Sequence, residues 1–289
     1  MGNWWILVKE RFSPASYIPM IAVFTAVNGL YLSKQAEMEW NWTQFFLTFI
    51  LLLSFFFRMR LFDEIKDYEV DLKINPTRPL ARGILSVIQV KKALLLLIIF
   101  ELILAAFVGG WNSFIVHGLA IGYSLLMYEE FFIGDFLRPH LTTYAVTHTF
   151  SSFLLAISAG VAMTGISITD FHADIYIFFL MNWAFFNLFE FARKTFAVSE
   201  ERPGVLSYSN IFGRTGAWLL STSQAAIGII LVSSAKIEPL VIAAFVLYLA
   251  ASSLYLIQGN AKAAKIFRNS SAAYLLVHYI IVIYVLGAS

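Results

Sequence analysis

Nine long apolar segments constrain the fold of this chain more than any other feature of its sequence. A helix that crosses the hydrocarbon core of a bilayer needs about 20 mostly apolar residues. Of the 289 residues, 60% are hydrophobic and 13% are charged, whereas soluble domains are about a quarter charged. We therefore predict an all-α fold in a single domain, residues 1–289. It is a polytopic transmembrane bundle of nine helices at 15–33, 43–60, 92–109, 111–128, 142–166, 173–191, 213–234, 238–257 and 272–288.

The lysines and arginines give this bundle an orientation. If the N-terminus is cytoplasmic, all 20 of these residues except Lys34 and Lys236 lie on the cytoplasmic side. Cytoplasmic loops of membrane proteins have such an excess of Lys and Arg, so we predict a cytoplasmic N-terminus and an extracytoplasmic C-terminus. Met1–Arg11 has no short apolar run before a small-residue cleavage site, and we expect the first span to be retained.

The longest polar segments between the predicted spans, residues 61–91 and 192–212, both lie on the cytoplasmic side in this topology. Such loops often contain binding and catalytic residues. The absence of cysteine excludes disulfides, cysteine-ligated metals and cysteine nucleophiles. The net charge of +2 does not point to a nucleic-acid partner, and we expect none. We expect an active site on the cytoplasmic face of a prokaryotic inner membrane, with the lipid bilayer as a partner.

Four carboxylates follow the second predicted span with the spacing of one helix face. Asp63, Asp67 and Asp71 are four residues apart, and Glu64 lies beside Asp63. On a helix of 3.6 residues per turn, each of the three aspartates is turned only about 40° from the last. Mg²⁺ is typically held by one or two carboxylates together with phosphate oxygens. The stripe therefore predicts a Mg²⁺ site, with a solvated, charged helix end as the alternative.

Basic residues directly after this acidic stripe indicate what such a metal would hold. Lys73, Arg78 and Arg82 follow the last aspartate. Asn75 precedes Pro76, and because residues before proline avoid the helical region, the helix is predicted to end there. Acids with cations just beyond them match the charge pattern that a metal–diphosphate complex requires.

The pattern Asp63-Glu64-x-x-Asp67-x-x-x-Asp71, followed by Thr-Arg-Pro-Leu-Ala-Arg-Gly, resembles the first signature of the UbiA superfamily of membrane prenyltransferases. That signature reads Asn-Asp-x-x-Asp-x-x-x-Asp and precedes a basic, proline-containing loop. Here Asp63 replaces the family's asparagine and Glu64 its first aspartate. The nine-helix, cytoplasm-facing plan of the family also matches the predicted topology.

The resemblance implies a helical bundle whose central cavity opens at the cytoplasmic side, with an isoprenyl diphosphate as substrate and Mg²⁺ as cofactor. It assigns Mg²⁺ binding to all four acids of the stripe and makes Asp67 and Asp71 central to catalysis. Lys73 and Arg78 would then bind phosphate oxygens.

A second polar cluster follows the sixth predicted span, where members of the family have a second aspartate-rich motif. Here Glu190 is the only acid close to the membrane, and Arg193 and Lys194 occupy positions where the family often has aspartate. We interpret Glu190 as a metal ligand and the two cations as diphosphate-binding charges that replace part of a second metal's role. Ordinary helix-end cations are the alternative. Glu200 and Glu201 could complete a metal site if their loop folds back over it.

Polar residues within the predicted spans give weaker signals. Glu101 and His117 lie at similar depth in consecutive spans, and we expect them to form a structural pair because ionisable groups inside a membrane usually face the protein interior. Interhelical hydrogen bonds would explain most of the others. The candidates for contact with an acceptor substrate are Asn28, Tyr144, His148, Asn182 and Asn187.

The function that these residues predict, through the resemblance, is prenyl transfer. Metal and cations would stabilise the departing diphosphate, and an acceptor would attack the allylic cation. A terpene cyclase of the same superfamily, in which a double bond of the substrate quenches the cation, is the first alternative. A transporter of a divalent cation or solute is the second, although transporters place their charged groups near the bilayer midplane. The sequence leaves open whether the acceptor is an aromatic or another hydrophobic compound.

Overall fold

The computed structural model describes residues 2–232 and 239–288, and this part of the chain is helical without a strand. Short 3₁₀ turns lie at Glu130–Phe132, Ile168–Asp170 and Val198–Glu200. The α-helices in chain order are α1 (Asn3–Arg11), α2 (Pro14–Gln35), α3 (Trp42–Lys66), α4 (Tyr68–Ile74), α5 (Val87–Tyr128), α6 (Gly134–Leu137), α7 (Leu141–Thr149), α8 (Ser151–Thr164), α9 (Ala173–Arg193), α10 (Tyr208–Val232), α11 (Pro239–Gln258) and α12 (Ala261–Ala288).

Eight helices within the described ranges are long and apolar enough to cross a membrane. They are α2, α3, α5, α9, α10, α11, α12 and the span Leu141–Thr164, which α7 and α8 form together. The prediction of an all-α, multi-pass membrane bundle is confirmed. The junction of the predicted spans 213–234 and 238–257 falls on residues 233–238, and this junction and Lys236 lie outside the described residues.

Helix α5 is interrupted where the sequence predicts the boundary between two spans. Its 42 residues would extend about 63 Å as one straight helix, twice the thickness of a bilayer core. Gly109 and Gly110 leave the helical conformation, and Gly110 has a φ of +66°. A Cβ on Gly109 would lie 2.8 Å from the carbonyl oxygen of Val161. The break therefore depends on both glycines. The prediction of nine spans counts the two parts of α5 separately, and this count and the orientation stay predictions.

The chain forms two compact units. The first comprises the residues up to Phe131 together with Ser158–Ile168, and in it α3 packs against α2 and α5. The second comprises Phe132–Ile157 and the residues from Thr169 onward. In this second unit α9 packs against α7, α10 and α12, and α11 packs against α10 and α12. The acidic stripe belongs to the first unit and the Glu190 cluster to the second. The single domain over residues 1–289 stays a prediction.

A buried ion pair lies in the first unit. The Nε atom of Arg58 lies 3.0 Å from each carboxylate oxygen of Glu101, and neither side chain is exposed. Ser124 accepts a further hydrogen bond from Arg58, 2.8 Å long. His117 lies 3.5 Å from Glu101 and contacts Ser158 through its other ring nitrogen. The expected proximity of Glu101 and His117 is present, but the main partner of Glu101 is Arg58.

Candidate functional site

The acidic stripe keeps its helical spacing across the junction of α3 and α4. The amide of Asp67 donates to the carbonyl of Asp63, and the amide of Asp71 donates to the carbonyl of Asp67, at 2.9 and 2.8 Å. The three aspartates therefore stay in register, although the helix is interrupted at Asp67. Helix α4 ends at Ile74, with Asn75 as its C-cap before Pro76, as the sequence predicts.

Asp71 is enclosed by its partners. One of its oxygens accepts a hydrogen bond from Asn75 at 3.0 Å, and the other lies 2.5 Å from Nη1 of Arg78. The same Nη1 atom lies 3.3 Å from Asp67. Burial alone would lower the pKa of the Arg78 guanidinium, but the hydrogen bonds and charges of Asp71 and Asp67 raise this pKa above its usual value. Arg78 thus joins the basic loop, residues 75–86 between α4 and α5, to the acidic stripe.

Asp63 and Asp67 are the accessible acids of the stripe. Their side chains are 56% and 50% exposed, whereas Asp71 is buried. Among the described residues, no three acidic or histidine side chains are grouped closely enough to enclose a metal ion. Mg²⁺ seldom needs such a cage, because one or two carboxylates with phosphate oxygens and waters complete its coordination. Asp63 and Asp67 fit this kind of site, in which a diphosphate would provide further ligands.

The remaining predicted residues of the first cluster have separate environments. Glu64 is buried, accepts a hydrogen bond from Arg11 and lies 3.8 Å from Arg60. Its carboxylate is therefore engaged in ion pairs. Lys73 is exposed on α4 and has no ion pair with another described residue. It is available to an anionic ligand.

The second cluster is internally paired. Glu190 is mostly buried, accepts hydrogen bonds from Nε and Nη2 of Arg193, and lies 3.0 Å from Nζ of Lys194. One acid thus faces two cations, so the local side-chain charge is positive. Arg193 is half-exposed, and its guanidinium remains accessible to an anion beside the pair.

Glu200 and Glu201 have partners of their own in the loop after α9. Glu200 lies 2.7 Å from Nη2 of Arg268, and this hydrogen bond lowers the pKa of the Glu200 carboxyl below its usual value. Glu201 accepts hydrogen bonds from Ser207 and Ser209. Glu200 therefore joins the loop to α12, and Glu201 joins it to the start of α10. Among the described residues, no group of three or more acidic or histidine side chains brings either acid together with Glu190.

The candidate acceptor residues make protein contacts as well. In the second unit the rings of Tyr144 and His148 stack with centroids 4.0 Å apart. Asn187 accepts a hydrogen bond from Thr149. In the first unit Asn28 is fully buried. Their roles in acceptor binding stay predictions.

Tyr279 donates a hydrogen bond of 2.8 Å to Asn182 in the second unit. This contact agrees with the interhelical hydrogen bond expected for such a residue. Sequence reasoning gave no role to Arg11, Arg268 or Thr149, because no local pattern marks a partner that is 38 or more residues away.

The membrane-spanning helices and the acidic stripe with its basic loop define a class, the helical membrane proteins with a polar site at a helix end. A model of the UbiA prenyltransferase family matches residues 22–281. The match covers most of the chain, so the chain belongs to the UbiA prenyltransferase family. The family resemblance predicted from the motif is confirmed.

Two solved structures are similar to this one. One is described as digeranylgeranylglyceryl phosphate synthase, with a TM-score of 0.67, 17% sequence identity and 100% coverage of both chains. The other is the apo structure of a UbiA homologue from Aeropyrum pernix K1, with a TM-score of 0.60 and 15% identity. That match covers 93% of this chain and 95% of the other. At these identities the similarity establishes the UbiA fold. No curated protein sequence matches the chain.

Proposed function

We propose that this protein is an intramembrane prenyltransferase that moves an isoprenyl group from an isoprenyl diphosphate to a small or lipidic acceptor. Membership of the UbiA prenyltransferase family supports prenyl transfer in the membrane. The structural observation behind the proposal is the combination, within one unit, of two accessible carboxylates and a basic loop. Asp63 and Asp67 are exposed to a ligand, and Arg78 lies beside Asp67.

Asp63 and Asp67 are the residues that would hold Mg²⁺. When bound, Mg²⁺ would act as a Lewis acid that neutralises the charge on the diphosphate oxygens. Asp71 holds Arg78 in place through its 2.5 Å contact, so its contribution is to position a cation. All four of these acids have a cation partner, but Asp63 beside Arg60 and Asp67 beside Arg78 are half-exposed. Glu64 is fully buried and Glu190 mostly buried against their partners, so the proposed metal site does not include these two glutamates, which the resemblance also assigns to metal binding.

Arg78 and the exposed Lys73 stabilise the departing diphosphate. The bond between the allylic carbon and the diphosphate oxygen breaks, and both electrons leave with the oxygen. The allylic cation then takes an electron pair from the acceptor, which releases a proton. Fixed positive charges lower the barrier because the negative charge on the leaving group grows as this bond breaks. In the second unit, Arg193 and Lys194 are proposed to bind diphosphate oxygens as fixed positive charges.

The experiment that tests the function uses the purified full-length chain in liposomes with Mg²⁺. Geranyl, farnesyl and geranylgeranyl diphosphates are supplied with and without candidate acceptors, which are a membrane lipid extract and a set of aromatic acids. Products are identified by mass spectrometry. Acceptor-dependent diphosphate release with a prenylated product supports transfer. Release without an acceptor, with a cyclic hydrocarbon as product, indicates a cyclase. Cation flux without diphosphate release indicates a transporter.

A further inference from the structure

The N-terminal helix α1 contacts both halves of the first cluster. Arg11 donates a hydrogen bond to Glu64 at the end of α3. Glu10 lies 2.6 Å from Arg82, and the side chain of Asn3 donates a 2.8 Å hydrogen bond to the carbonyl of Ile84. One short helix therefore holds the acidic helix end and the basic loop at the same time.

An apolar contact lies between these polar ones. Leu7 is completely buried, and it belongs to a cluster that contains residues from both halves of the site. Leu61 and Phe62 come from α3, while Leu80 and Leu85 come from the basic loop. Because residues four and seven positions apart share a helix face, the contacts of α1 with the site lie on one side of the helix.

Glu64 differs from the aspartates of the stripe in where its charge is satisfied. Its side chain is fully buried, whereas those of Asp63 and Asp67 are half-exposed. One oxygen accepts from Arg11, and the other has no hydrogen-bond partner among residues 2–232 and 239–288. A buried carboxylate with one dominant cation partner depends strongly on that partner.

We infer that α1 is a strap that positions the acidic stripe against the basic loop, and that Glu64 acts as the attachment point for Arg11. In this role Glu64 is a positioning residue, which touches neither metal nor diphosphate. The inference rests on the proposed function for its effect on turnover. The attachment itself is a property of the protein without substrate, so it can be tested separately.

The test compares Arg11→Gln, Glu64→Gln and the double variant with wild type. Lys9→Gln is the matched control, because it removes a positive charge from the same helix, where Nζ of Lys9 lies 5.5 Å from the Trp5 ring centroid. Hydrogen–deuterium exchange is measured without Mg²⁺ or substrate. We expect faster exchange at 60–86 in both single variants and wild-type exchange in Lys9→Gln. Unchanged exchange in both single variants would overturn the inference that α1 is a strap attached through Arg11 and Glu64.

Melting temperatures in detergent show whether Arg11 and Glu64 stabilise the protein as a pair or independently. Arg11→Gln leaves the Glu64 carboxylate buried without its main partner, so its melting temperature in detergent should fall further than that of Glu64→Gln. The double variant should be more stable than Arg11→Gln, since it removes the uncompensated charge. If the two losses simply add, the two residues do not act as a pair. If Arg11→Gln fails to fold, Arg11→Lys is used instead, because lysine keeps the positive charge but lacks the planar guanidinium. Arg11→Lys should show a smaller increase in exchange at 60–86 and a smaller decrease in melting temperature.

Kinetics distinguish positioning from metal binding. We expect Glu64→Gln to lower kcat by roughly ten- to a hundredfold, the size of effect that a small misplacement of reacting groups produces. The Mg²⁺ concentration for half-maximal activity should stay at the wild-type value. A large rise in this concentration in Glu64→Gln, with wild-type turnover in Arg11→Gln, would show that Glu64 binds the metal. If the wild-type protein releases no diphosphate from any substrate, the proposed function is wrong. The hydrogen–deuterium exchange result still shows whether α1 acts as a strap.

Discussion

Arg58 places its Nε atom 3.0 Å from both carboxylate oxygens of Glu101, and both side chains are completely buried. The ring of Phe55 lies against the same guanidinium, with the centroid 4.4 Å from its central carbon. Taking one charge from such a pair leaves the other in a low-dielectric environment, at a cost of about 3–5 kcal/mol.

We therefore expect Glu101→Gln to lower the melting temperature in detergent strongly. The double variant Arg58→Met/Glu101→Leu should regain much of this loss, because apolar side chains of similar volume need no compensating charge. The control is Glu39→Gln, which removes an exposed carboxylate from a loop and should leave the melting temperature unchanged. A Glu101→Gln protein as stable as wild type would show that the ion pair contributes little.

Asp67→Asn should remove most of the Mg²⁺-dependent activity while the protein stays folded. The amide is nearly the same size as the carboxylate but adds no negative charge for a metal. Diphosphate release is measured across a range of Mg²⁺ concentrations, with Glu69→Gln as the control, since Glu69 is an exposed acid on α4 outside the stripe. Wild-type turnover of Asp67→Asn at low Mg²⁺ would contradict the metal assignment.

Arg193→Ala should weaken diphosphate binding or turnover by about ten- to a hundredfold. The reason is that a charge-assisted hydrogen bond to a phosphate contributes about 1.5–3 kcal/mol. Arg193→Lys should recover part of the loss, because lysine keeps the charge but not the two-pronged geometry. Raising the Mg²⁺ concentration should not restore activity.

Arg202→Ala is the control for Arg193, because it removes an exposed arginine from the loop after α9. Glu190→Gln should also change the kinetics, since it releases Arg193 and Lys194 from their shared partner. Full activity of both Arg193→Ala and Glu190→Gln would indicate that the cluster is only a positively charged helix end.

The Glu200–Arg268 pair should make stability depend on pH in the acidic range. Because the pair lowers the pKa of Glu200 in the folded state, it stabilises the fold above the ordinary glutamate pKa of about 4.3. This stabilisation is lost as the pH falls through the folded-state pKa. Glu200→Gln should therefore melt below wild type at neutral pH, and the difference should shrink in acid. A difference that is constant across this range would count against the pair.

The orientation of the bundle can be read with reporter fusions. The distribution of Lys and Arg predicts that a reporter fused after Ser289 is extracytoplasmic and that one inserted at 199–209 is cytoplasmic. Phosphatase and fluorescent-protein fusions measure the two sides. Reporters that locate the N- and C-termini on the same side would contradict an odd number of spans, and with it the prediction that the two parts of α5 cross the membrane separately.

The local part of this architecture follows from the sequence alone. Apolar segments of bilayer length determine where the helices lie, because every backbone polar group inside a membrane must be satisfied within its own helix. The spacing of Asp63, Asp67 and Asp71 placed them on one helix face, and Pro76 predicted the end of α4. These features depend on residues within a few positions of each other, so a periodic pattern is sufficient to predict them.

Only the tertiary structure decided which charges are accessible and which are paired. Glu64 is adjacent to Asp63 in the sequence, yet it is buried against Arg11, 53 residues away, while Asp63 is exposed. Glu101 pairs with Arg58, 43 residues away. The physical reason is that burial and ion pairing depend on which helix packs against which, and charges that are equivalent by spacing along one helix acquire different partners once those helices pack.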